Sequence, residues 1–172
     1  MIAVAALEDV DHVRGASGPH VILEYGDYEC PYSRQAFRSI GRLMRREQAN
    51  GVRYAFRHFP LIEFHENSLA AARAAEAAGL QGRFWEMHEL LFYRQPLLGD
   101  VHLRDYAREL GLEAARFERD RRGATTLARV RRDIELARGS FGVTGTPTFF
   151  IDGVVHRGAY DVESLLEAIS SP

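Results

Sequence analysis

Two groups of strand signals in this chain are separated by roughly 70 residues whose periodicity is entirely helical, and that spacing limits the architectures available. A single crossover between parallel strands needs a dozen or more residues, usually one helix. Five helical segments are more than that connection requires, so the block from Glu66 to about Arg138 is read as an inserted helical subdomain. Before it, Val21 to Tyr25 is a short apolar run bounded by Gly18-Pro19 and Gly26-Asp27, which predicts a buried strand. A helix should open near Cys30, with Pro31 in its first turn and Phe37, Ile40, Leu43 and Met44 at helical spacing, and should stop at Asn50-Gly51. Val52 to Phe59 alternates and predicts a second strand. After the block, Pro147 to Ile151, Asp152-Gly153 and Val154 to His156 predict a hairpin, and Val162 to Ile169 a closing helix.

The order β-α-β, helical block, β-β-α calls for an α/β fold with a central mixed sheet, the subdomain inserted between the second and third core strands. The expected division is a lead-in at 1–18, a core at 19–65 and 139–172, and the insertion at 66–138.

Composition removes several function classes. The net charge of −2 gives no global field to recruit nucleic acid or an anionic membrane. All 22 basic residues are arginine, so Schiff-base chemistry and a lysine-based P-loop are excluded. The arginines at 119, 121, 122, 129, 131 and 132 alternate with acids and apolar residues and read as a solvated helix face. His58, His65 and His88 match no short metal-binding spacing and read as core or rim histidines; no metal site is predicted. The N-terminus has no basic start, a short apolar run from Ile2 to Leu7 and then acids. It reads neither as a signal peptide nor as an anchor, which makes a reducing, cytoplasmic setting the expectation.

The single cysteine excludes an internal disulfide. Cys30 falls between a predicted buried strand and the helix after it, beside unpaired N–H groups whose dipole favours a thiolate. A lone cysteine can also be a small buried hydrophobe, but a strand-to-helix turn reading Cys30-Pro31-Tyr32-Ser33 favours a reactive thiol. Glu24 lies in the apolar strand, either at its edge facing water or buried, where desolvation would raise its pKa. Asp27 and Glu29 read as exposed turn residues.

The segment from Glu24 to Ser33 resembles the active-site region of the DsbA-like branch of the thioredoxin superfamily. So do Phe56-Arg57-His58-Phe59-Pro60-Leu61, the Phe84-Trp85-Glu86-Met87-His88 helix, and the run from Gly142 to Gly153. Asp11 to Gly15 looks like the lead-in of cytoplasmic bacterial members, some of them fused to sodium/proton antiporters. The resemblance spans about residues 11 to 170 and implies a thioredoxin-like fold and thiol–disulfide oxidoreductase activity, with Pro31, Tyr32, Thr146 and Pro147 contacting substrate. It further implies a cis Pro147 beside Cys30, with Thr146 offering its backbone to an extended substrate. Glu24, six positions before the cysteine, would be a proton relay.

The family's motif is Cys-x-x-Cys, and here the second position is Ser33. A serine hydroxyl can hydrogen-bond to the Cys30 thiolate but cannot attack a mixed disulfide to release the substrate. The expected chemistry is therefore monothiol. Cys30 forms a mixed disulfide with a protein or small-molecule partner, and an external thiol such as glutathione, a co-substrate and not a bound cofactor, resolves it. Other readings stay open. Ser33 could be a replacement that traps mixed disulfides. The chain could be a relative of kappa-class glutathione transferases and isomerases, whose serine sits at the first motif position, or a redox-inert module that binds extended peptides.

Overall fold

The computed structural model describes residues 7, 9–15 and 17–170; except for Leu7, the apolar run at 2–7 lies outside them. In chain order the elements are β1 (His12–Gly15), β2 (His20–Gly26), α1 (Pro31–Leu43), β3 (Val52–His58), α2 (Ser68–Gly79), α3 (Phe84–Tyr93), α4 (Asp100–Glu109), α5 (Ala114–Arg122), α6 (Ala124–Ser140), β4 (Thr148–Ile151), β5 (Val154–His156) and α7 (Val162–Ser170). The strands form one mixed sheet in the order β1-β3-β2-β4-β5, in which only β2 and β3 run parallel. Helices α2 to α6 lie between β3 and β4 in the chain, so the long helical stretch interrupts a β-α-β unit and a β-β-α unit, giving the thioredoxin-like fold.

Strand alternation sorts side chains onto two covered faces. Ile22, Tyr54, Phe56 and Phe149 face a core shared with α1, α2, α3 and α7, while Leu23, Tyr25, Ala55 and Phe150 face a second core with Ala137 of α6 and Val143. Helix α1 meets the first core through Ala36, Phe37, Ile40 and Leu43, all at most 5% exposed. Burying each of its three large side chains contributes roughly 1.5–3 kcal/mol. That packing fixes where the helix starts, and with it the position of Cys30.

Three expectations are corrected. Helix α1 ends at Leu43 and not at Asn50-Gly51. Tighter bonds from Arg45 N to Arg42 O and from Arg46 N to Leu43 O close it, and a separate 3-10 turn, Glu47–Ala49, reaches Gly51, whose φ of +89° suits glycine. His12–Gly15, expected only as lead-in, is an edge strand antiparallel to β3. The arginine run is not uniformly solvated. Arg121 is buried between Glu118 and Asp100, and Arg129 pairs with buried Asp133.

Candidate active site

Cys30 is the N-cap of α1, with extended backbone (φ −72°, ψ 123°) and Pro31 following it in the first turn. Pro31 has no N–H to leave unpaired and its ring presets helical φ, so this sequence starts a helix here. Asp27 O accepts from Cys30 N at 3.1 Å, and Cys30 O accepts from Arg34 N at 3.1 Å, which pins the turn from both sides. The sulfur makes no cap bond to the helix. Its S–H donates instead to Thr146 O at 3.4 Å, across the cis Thr146–Pro147 peptide. Cys30 is 4% exposed, whereas its neighbour Tyr32 is 63% exposed.

Ser33 is fully buried, and its Oγ accepts from Asp27 N at 3.2 Å. The hydroxyl anticipated as a donor to Cys30 thus holds the turn before it. Asp27 itself, expected to be exposed, is a buried hub. Its Oδ1 accepts from Glu29 N at 2.8 Å, and its Oδ2 accepts from Leu61 N at 2.9 Å and pairs with His65 Nδ1 at 2.7 Å. Burial is tolerated because these three donors satisfy both carboxylate oxygens. Glu29 is half-buried and binds both the backbone and side-chain N–H groups of Asn67.

Glu24 is completely buried on β2, between Phe56 of β3 and Phe149 of β4. Tyr54 Oη donates to its Oε2 at 2.7 Å, and its Oε1 has no partner among the described residues. Desolvation pushes its pKa up to about 8, only partly opposed by the Tyr54 bond and the more distant Arg14 charge. Among the described residues no hydrogen bond joins Glu24 to Cys30. The phenol of Tyr160 is raised first by burial and then by the charges of Cys30, Tyr32 and Glu24.

Tyr160, the Asp27 hub and two further groups escaped the sequence reading. Gln95 Nε2 donates to Tyr28 O and to Cys30 O, so the inserted helical block grips the active-site turn directly. Beneath that turn the Tyr28 hydroxyl pairs with His88 Nδ1 at 3.0 Å, and burial holds His88 well below the usual histidine pKa, hence neutral. His58 is buried against Glu76, so His58 and His88 are core groups and His65 sits at the rim. Only the Asp27–Glu29 contact had a local signal, an aspartate bonding the backbone N–H two residues on.

A family model described as Thioredoxin matches residues 8–171. The chain belongs to the thioredoxin family. Within that family its shape is similar to DsbA-type proteins. A thioredoxin-like oxidoreductase from Silicibacter pomeroyi superimposes with a TM-score of 0.83 at 29% identity, covering 94% of this chain and 91% of that one. DsbA2 of Pseudomonas aeruginosa gives 0.75 at 26% identity, covering 95% of both chains. By sequence the chain is 45% identical over 167 residues to the Na(+)/H(+) antiporter NhaA 1 of Salinispora arenicola, which accounts for 95% of this chain and 25% of that protein. The chain thus spans about a quarter of the curated relatives it matches. Among the described residues no helix is long and apolar enough to cross a membrane.

Proposed function

We propose that this protein is a thiol–disulfide oxidoreductase that works through Cys30 alone and relies on a low-molecular-weight thiol, such as glutathione, to complete each cycle. The observation that carries the reading is the apposition of Cys30 Sγ, at the start of α1, to Thr146 O in the cis-proline loop, with serine and not cysteine at the second motif position. The likeness to an oxidoreductase at 29% identity supports the reaction class.

In the cycle, the Cys30 thiolate attacks the glutathione sulfur of a protein–glutathione disulfide. The new Cys30–glutathione bond forms as the old S–S bond breaks, and the protein thiolate leaves and takes up a proton. A second glutathione thiolate attacks the glutathione sulfur held on Cys30, releasing oxidised glutathione and restoring the Cys30 thiolate. Ser33 takes no electron-transfer part. Pro31, Tyr32, Thr146 and Pro147 bind the substrate, and Glu24 exchanges protons beneath the site. A mainly apolar recess of about 370 Å³, walled by Phe59, Leu61, Ile62, Phe64 and Val143 with Glu63 and Arg138 also in its lining, adjoins the loop and suits a substrate side chain. A reducing, cytoplasmic compartment supplies the second thiol.

The test is turnover of a glutathionylated peptide with glutathione and a coupled reductase. The wild-type chain turns over and Cys30→Ser does not. An inactive wild type that becomes active only as Ser33→Cys would overturn the monothiol cycle.

A further inference from the structure

The face of α1 away from the sheet carries a second feature, well removed from the sulfur. Residues 30–46 contain five arginines and no acid, in a chain whose net charge is −2. Arg38 and Arg42 lie one turn apart on the same face of α1, and Arg45 follows in the turn that closes the helix. With Arg14 of β1 they line a cavity of about 330 Å³, floored by Phe37 and Gly41. The one acid in its wall, Glu89, is already paired with Arg14 at 2.9 Å. Arg38, Arg42 and Arg45 have no acidic partner among the described residues.

Three exposed guanidiniums around one concavity leave it a positive patch, in contrast to Arg94 and Arg121, which are paired with Glu109 and Glu118. The floor has room at Gly41. A Cβ there would meet only Arg45 Nη1, at 3.8 Å. The volume lies at the lower end of small-ligand sites. A carboxylate occupies one guanidinium fork, whereas a tetrahedral phosphate presents oxygens to several at once. Arg38 is eight residues from Cys30, about 12 Å along the helix, so a ligand here does not touch the thiol.

We infer that the pocket formed by Arg14, Arg38, Arg42 and Arg45 is a binding site for a phosphate-bearing anion, a phosphomonoester or pyrophosphate group.

The molecule supplies its own reporter. Trp85 is the only tryptophan, and the Arg14 guanidinium lies over its ring at 4.6 Å. An anion that draws on Arg14 alters that stacking and with it the Trp85 emission. Pyrophosphate titrated at low salt should change the emission saturably with a Kd below about 1 mM, confirmed by calorimetry, and 0.5 M NaCl should weaken binding. The double variant Arg38→Gln/Arg42→Gln, both exposed positions, should weaken it at least about tenfold with an unchanged urea midpoint. Arg108→Gln/Arg119→Gln, the same charge change elsewhere, should leave it within about twofold. Acetate should give no saturable change.

Vesicles containing phosphatidic acid, whose headgroup is a phosphomonoester, distinguish the source of the phosphate. Sedimentation with them that pyrophosphate competes away identifies a lipid headgroup occupying the same pocket; failure to sediment alongside pyrophosphate binding identifies a soluble ligand. Absence of saturable pyrophosphate binding, equal loss in the control pair, or vesicle binding that pyrophosphate does not displace would each overturn the inference.

Discussion

Replacing Glu24 by glutamine isolates what it costs to keep a carboxyl group inside the sheet. The side chain is fully buried, and its pKa is raised from 4.5 to about 8. Over that interval the folded chain holds a proton that the unfolded chain releases, so Glu24 favours folding fully below pH 4.5 and the benefit drains away as pH rises toward 8. Each unit of displacement corresponds to about 1.4 kcal/mol, which puts the full swing at about 5 kcal/mol. Glutamine mimics the protonated acid: its carbonyl can still accept from Tyr54 Oη, and it does not titrate. Urea unfolding of both proteins at half-unit steps from pH 5 to pH 8 should therefore show the stability of Glu24→Gln rising relative to wild type by about 1.4 kcal/mol per pH unit, roughly 4 kcal/mol in all. Other groups titrate in the same range, notably His88, which must charge on unfolding in acid, but they cancel in the difference between the two proteins. A difference that stays flat across the series would refute the claim that Glu24 is desolvated and neutral in the fold. The same pair, assayed for turnover, tests the relay, since an unchanged pH–rate profile would remove Glu24 from the chemistry.

Three other perturbations address the turn that holds Cys30. Asp27→Ala strips the partner from Glu29 N, Leu61 N and His65 together, and should lower the unfolding free energy by about 2–5 kcal/mol in urea titrations. Gln95→Leu releases Tyr28 O and Cys30 O, and should cost about 1–3 kcal/mol while speeding alkylation of Cys30 by iodoacetamide at fixed pH; an unchanged alkylation rate would mean that the insertion does not restrain the turn. Ser33→Ala orphans Asp27 N and should cost about 1–2 kcal/mol in the same unfolding assay, yet retain turnover with glutathionylated peptide, because the hydroxyl is a strut and not a redox partner.

These positions also mark the boundary of what could be read from residue order. Periodicity located β2, α1, β3, the five helices of the insertion and the closing hairpin, since each is a local pattern that packing then obeyed. It missed β1, four residues on an edge that is held by pairing with β3 more than by its own composition. It misplaced the end of α1, because a 3-10 turn offers side-chain spacings close to those of a helix. Asp27 departs from expectation for a more general reason. An aspartate after glycine in a strand-to-helix turn has the composition of a solvated loop, and nothing within ten residues shows that Leu61 N and His65 will arrive to satisfy it. Arg121 was misread in the same way, because its partner Asp100 lies 21 residues away on another helix. Buried polar groups depend on partners brought by tertiary structure, so their burial is legible only where a motif records both partners. For Cys30 it is the family resemblance that names both partners. Its own turn and the Gly-Thr-Pro-Thr run 116 residues later are both written in the sequence, and the fold sets Thr146 O against the sulfur. Ser33 shows the opposite: the motif position was legible, but the direction of the hydroxyl was decided by whether Asp27 N had any other acceptor, and in this turn Ser33 supplies it.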